Sequence, residues 1–151
     1  MTPVVAVIAP GMMGAAVGKR LVDNGVKVLT SLKGRSAETA ARAKAAGMAA
    51  AGDEEIAACD FILSILPPGD AVTLAERFQP ALKASNAKPV YVDCNAINPK
   101  TVDRVAAVIA PTDCPFVDSG IIGSPPTPAP AGEVKAAPAS EVKAAPAEIK
   151  G

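Results

Sequence analysis

The segment Val4-Val5-Ala6-Val7-Ile8-Ala9-Pro10-Gly11-Met12-Met13-Gly14 joins an unbroken apolar run to a glycine turn. Val4 to Ile8 is rich in β-branched residues and lacks polar alternation, the pattern of a strand covered on both faces. Beyond the turn Met13, Val17 and Leu21 recur every four residues, and Asn24-Gly25 supplies a helix stop. A strand, a tight turn and a helix in that order make the first half of a βαβ unit.

The same alternation continues down the chain. Val26 to Thr30 predicts a second strand. Ser36 is placed to cap a helix that runs to Ala46 and stops at Gly47. Met48 to Ala51 predicts a weak third strand, and Asp53-Glu54-Glu55 an acidic helix start. Phe61 to Leu66 follows as a fourth strand. Asp70 is expected to cap the next helix, which Pro80 should break or kink before Lys83. Val90 to Cys94 predicts a fifth strand. Asn98-Pro99 opens a helix to about Ile109, and Phe116 to Asp118 predicts a sixth strand. Strands alternating with helices require crossovers and a parallel sheet covered on both faces, so residues 1–124 are expected to form a Rossmann-type doubly wound α/β/α domain. Residues 125–151 are Pro/Ala/Glu/Lys-rich and repeat Glu-Val-Lys-Ala-Ala-Pro-Ala from Glu133 and again from Glu141. They read as a disordered linker, with a short binding motif as the alternative.

Composition narrows the chemistry. The 151 residues carry 15 basic and 15 acidic side chains, 3% aromatics and no histidine. That leaves no basic stripe or stacking surface for nucleic acid, and no imidazole for zinc catalysis or a Ser-His-Asp triad. No metal site is expected. Cys59, Cys94 and Cys114 are scattered rather than paired, as core thiols of a cytoplasmic protein are. No apolar run is long enough for a membrane helix, and the apolar start has no basic region of a signal peptide.

A doubly wound sheet binds its ligand at the carboxyl ends of the strands, so the turn after the first strand is the place to look. Its residues Ala9, Pro10, Gly11, Met12, Met13 and Gly14 match the dinucleotide fingerprint G-x-G-x-x-G with Ala9 in the first glycine position. Gly11 stands where a backbone must approach a pyrophosphate, and Gly14 where the helix must pack on the strand. Amide groups at the helix start then form an anion site without a charged side chain. The end of the second strand selects between coenzymes, because a carboxylate there binds the ribose of NAD and repels the 2′-phosphate of NADP. No acid lies between Asn24 and Ala37; the stretch instead holds Ser31, Lys33, Arg35 and Ser36. NADP is the predicted cofactor.

With those residues in place the chain resembles the β-hydroxyacid dehydrogenase superfamily, which includes 6-phosphogluconate and 3-hydroxyisobutyrate dehydrogenases and the related imine reductases. The resemblance spans Val4 to about Pro126. It also rests on Leu66-Pro67-Pro68, Asp93-Cys94-Asn95 and Asp118-Ser119-Gly120-Ile121-Ile122-Gly123. It implies that Leu66 and Pro67 line the cofactor, that Asn95 lies near the nicotinamide, and that Asp118, Gly120, Ile122 and Gly123 belong to a substrate loop. The implied activity is hydride transfer between NADP(H) and a small hydroxy acid, keto or imine substrate.

Two departures stand out. Ile122 replaces the serine of the family's D-A-P-V-S-G-G loop, so substrate identity does not transfer. The family lysine with an asparagine four residues on has no counterpart, since the last asparagine is Asn98. The helical catalytic domain that carries this lysine is expected to be missing, leaving catalytic residues unassigned. Asp93 is a stand-in whose simpler role is to order the following loop, and Asp118 reads as fixing a turn. The chain is expected to bind NADP but turn over slowly, and strand six with Ile121-Ile122 should expose an apolar surface for self-association. A non-catalytic NADP-binding module, or a truncated fragment with an interaction tail, is the alternative.

Overall fold

A computed structural model describes residues 1–127; most of the predicted tail lies outside the described residues. The chain alternates β1 (Val4–Ile8), α1 (Met12–Asp23), β2 (Lys27–Thr30), α2 (Ala37–Ala45), β3 (Ala49–Ala50), α3 (Asp53–Ala57) and β4 (Phe61–Ser64). It continues through α4 (Ala71–Ala84), β5 (Val90–Asp93), α5 (Pro99–Ile109) and β6 (Phe116–Asp118). The six strands form one parallel sheet in the order β3-β2-β1-β4-β5-β6. This is the doubly wound Rossmann arrangement expected, and its order reverses between β1 and β4.

Alternation along each strand feeds two cores. Val5 and Val7 of β1 and Val28 of β2 pack with Ala15 of α1 and Ala43 of α2 on one face. Ala6 and Ile8 pack on the other with Ile56 of α3, Phe78 of α4, Tyr91 of β5 and Val105 of α5. Covering on both faces explains the unalternating apolar β1. Cys59 and Cys114 are buried and Cys94 is half-buried, all unpaired. Burial pushes the Cys59 and Cys94 thiols up to about 11, so both stay neutral at pH 7.

Helix boundaries follow local signals, with a correction at Asp70 and without the break that is one of the two outcomes expected at Pro80. Ser36 accepts from Thr39 N at 3.2 Å and Asn98 from Thr101 N at 2.9 Å, as N-caps should. Gly25 and Gly47 stop α1 and α2 at φ +81 and +76. Asp70, however, caps nothing. It ends a 3-10 turn, Pro68–Asp70, that runs straight into α4, so its backbone is already helical and its side chain cannot reach back. Nor does Pro80 end α4, which continues four residues past it to Ala84. Pro80 and Glu76, whose carbonyl loses its partner, both lie on the exposed side where water can serve that carbonyl, while Phe78 and Leu82 anchor the helix in the core. Strands β4 and β5 end at Ser64 and Asp93, short of the Leu66 and Cys94 ends expected, because the chain turns away to form the rim.

Candidate functional site

At the strand-order reversal, the turns after β1 and β4 are tied together. Ile65 N donates to Ile8 O at 2.6 Å, and Ala9 N to Ile65 O at 2.9 Å. The rim continues outward through Cys94 N to Ser64 O at 3.0 Å and Ser119 N to Asp93 O at 2.8 Å. The predicted segments Ala9–Gly14, Leu66-Pro67, Asn95 and the start of the Asp118 loop therefore lie along one edge of the sheet.

The two fingerprint glycines of the turn do different work. A β-carbon on Gly14 would collide with the Ala9 backbone carbonyl, so this position must stay bare for α1 to sit on β1. Around Gly11, at φ −69, no atom beyond its two chain neighbours lies within 4 Å of where a β-carbon would be, leaving room for a ligand to approach the backbone. The amides of Met12, Met13 and Gly14 meet no acceptor among the described residues, and the first turn of α1 holds no acid. A positive helix end with free donors suits a diphosphate. Ala9 and Pro10 are buried beneath the turn, Met13 is half-buried, and Met12 stands exposed at its mouth. These residues fit a dinucleotide.

On the β2 side, Lys33, Gly34, Arg35 and Ser36 are exposed. Arg35 N donates to Leu32 O at 3.0 Å across a turn whose Gly34 has φ +70. Neither Lys33 nor Arg35 pairs with an acid among the described residues. Ser36 is occupied in capping α2. Ser31 is only 2% exposed, and its Oγ accepts from Arg77 Nη2 at 2.7 Å and Lys33 N at 3.4 Å. It therefore faces protein rather than the open groove. Arg77, from α4, escapes sequence reading because no local motif links it to a residue 46 positions away.

At the opposite end Asn95 is buried, with Oδ1 accepting from Leu66 N at 2.7 Å and Nδ2 donating to Ser64 Oγ at 3.0 Å. It ties the β4 and β5 rims. Asp93 is fully buried; Oδ1 accepts from Asn95 N at 2.9 Å, while Oδ2 has no partner among the described residues. Desolvation raises its pKa, as does the nearby Asp118 charge, against the bonds from Asn95. Asp118, Gly120, Ile122 and Gly123 are exposed, with Pro67 and a half-buried Leu66 across the rim. A cavity of about 360 Å³ lies between α1, α2 and Pro125–Thr127, with Met12 of the glycine turn in its lining. No cluster of metal-ligating side chains occurs among the described residues, and none of their helices is long and apolar enough to cross a membrane.

The reversed sheet order, the bare helix start and the open glycine together define a dinucleotide-binding α/β domain. The chain belongs to the family of the NAD binding domain of 6-phosphogluconate dehydrogenase, whose model matches residues 4–146. No curated protein matches it. Among solved structures, a conserved protein of unknown function, described as similar to 3-hydroxyacid dehydrogenases, is 34% identical with a TM-score of 0.70. That match covers 80% of this chain and 44% of that one. Mycobacterium tuberculosis 3-hydroxyisobutyrate dehydrogenase, solved with L-serine, is 25% identical with a TM-score of 0.68, covering 82% of this chain and 42% of that one. A Myxococcus stipitatus imine reductase solved with NADP+ is 16% identical at a TM-score of 0.66, covering 82% and 42%, and shows the fold alone. Its V8 variant, solved with NAD+, is 17% identical at a TM-score of 0.69, covering 83% and 43%. The chain thus spans less than half the length of these proteins.

Proposed function

We propose that this chain binds NADP(H) across the edge formed by β1, β2 and β4 and is the coenzyme-binding part of an oxidoreductase acting on a small hydroxy acid, keto or imine substrate. The carrying observation is the junction of free α1 amides with an acid-free loop bearing Lys33 and Arg35. The amides of Met12, Met13 and Gly14 hold the diphosphate, and Gly11 lets it approach. Arg35 grips the 2′-phosphate bidentately, with Lys33 beside it. Either coenzyme is found on this fold, so the choice rests with the residues after β2.

The bound coenzyme carries the hydride, taking it from a hydroxy acid as NADP+ or giving it to a keto or imine carbon as NADPH; the chain's own residues orient it. Leu66 and Pro67, fixed by Asn95, flank the nicotinamide end. Asp118, Gly120, Ile122 and Gly123 form the near wall of a substrate cleft. Since Asp93 is buried and committed to Asn95, its role is to shape that rim rather than to transfer a proton.

Titration by nicotinamide fluorescence tests the reading. NADPH should bind more tightly than NADH, and Arg35→Ala should weaken NADPH by about 1.5–3 kcal/mol, roughly 10- to 150-fold, with NADH nearly unchanged. Equal losses for both coenzymes would overturn the phosphate-binding role.

A further inference from the structure

The half-buried ion pair between Arg77 and Asp53 lies at the coenzyme-selecting end of the sheet. Arg77 Nε donates to Asp53 Oδ2 at 3.1 Å and Nη2 to Oδ1 at 2.5 Å, while the same Nη2 reaches Ser31 Oγ at 2.7 Å. The guanidinium also sits 5.0 Å from the centre of the Phe78 ring. One fork thus joins the middle of α4, the first residue of α3 and the residue that follows β2. Ser31 Oγ in turn receives the Lys33 amide, so the brace extends into the backbone of the phosphate loop.

Asp53 gives this arrangement a second meaning. It follows β3, which pairs with β2 through Leu29↔Ala49 and Thr30↔Ala50, and Ala51 N bonds Thr30 O at 2.9 Å. A carboxylate therefore stands one strand from the end of β2, at the same end of the sheet. A carboxylate at the end of the second strand accepts from a ribose hydroxyl and repels a 2′-phosphate; Asp53 stands one strand over from that position. Sequence order hides Asp53 because it lies beyond the β2 loop rather than within it. Arg77 occupies both of its oxygens.

We propose that Arg77 is a positioning residue for coenzyme choice: it masks Asp53 and braces Ser31 and Lys33, so that the loop after β2 receives a phosphate rather than a ribose hydroxyl. This deepens the proposed function and rests on it. Loss of Arg77 releases a carboxylate and slackens the loop, and both effects move preference from NADPH toward NADH.

Fluorescence titration of the full chain with NADPH and NADH tests this, with thermal unfolding recorded for every variant. Arg77→Met should lower the NADPH:NADH affinity ratio by about tenfold or more. Asp53→Asn should keep the ratio or raise it, and adding Asp53→Asn to Arg77→Met should restore much of the loss. Arg77→Lys keeps the charge without the fork, so it should shift the ratio in the same direction by less; this variant carries the test if Arg77→Met does not fold. A purely structural ion pair would lower stability in all variants and leave the ratio unmoved, which would overturn the proposal. So would an equal shift in Arg77→Met with and without Asp53→Asn. Failure of the unmodified chain to bind either coenzyme would overturn the proposed function and this role with it, whereas normal binding with an unmoved ratio would overturn this role alone.

Discussion

Gly11 and Gly14 stand three residues apart and should answer the same substitution in opposite ways. Gly14→Ala drives a methyl into the Ala9 carbonyl, so α1 must shift off β1; a cost of about 1–3 kcal/mol is the scale of such overpacking. Gly11→Ala meets open space at an ordinary φ, so its unfolding midpoint should hardly move while NADPH affinity falls. Thermal unfolding beside coenzyme titration checks both; equal destabilisation by the two would contradict the division of labour. The spacing made the packing role of Gly14 legible, since the fingerprint assigns that glycine to helix packing and Gly11 to the ligand. Ser31 was legible only as a hydroxyl near the end of a strand. That it turns inward depends on Arg77, a distant partner that no short window of sequence contains.

At the scale of elements, the strands read clearly because each is a short apolar run bounded by polar or glycine-containing segments. Their ends read less well. Ser64 and Asp93 end β4 and β5, and the next residues bond across the rim instead of extending the ladder. Local signals also read α4 incompletely: Asp70 does not cap it, because a 3-10 turn precedes it, and Pro80 does not break it, because Phe78 and Leu82 anchor the helix in the core. The joined ends of β4 and β5 give a pH prediction. Desolvation lifts the Asp93 carboxyl above its ordinary 3.8, so folding favours the protonated form. Its contribution to stability is complete below the unfolded value and is lost as pH rises through the raised folded one. From about pH 4 upward the unfolding midpoint of the unmodified chain should therefore fall relative to that of Asp93→Asn, which does not ionise there. Parallel pH profiles would contradict a desolvated carboxyl at this position.

For the whole molecule, the doubly wound order places every segment proposed to face the coenzyme on one edge and leaves β6 at the sheet margin. Val117 is 44% exposed, Ile121 40% and Ile122 fully exposed, the apolar surface expected of this margin from the sequence. Self-association through it should appear in light scattering as a mass that rises with concentration and falls back in a Val117→Thr, Ile122→Ser variant; a strict monomer at high concentration would contradict that contact. At the other end of the rim, the α1 amides are proposed to hold the diphosphate. Amide-resolved NMR during NADPH titration tests it most directly. Saturable shifts centred on Met12, Met13 and Gly14, joined by Lys33 and Arg35 with NADPH and weaker there with NADH, are the predicted result. Unmoved amides at the start of α1 at coenzyme concentrations that saturate binding would contradict it.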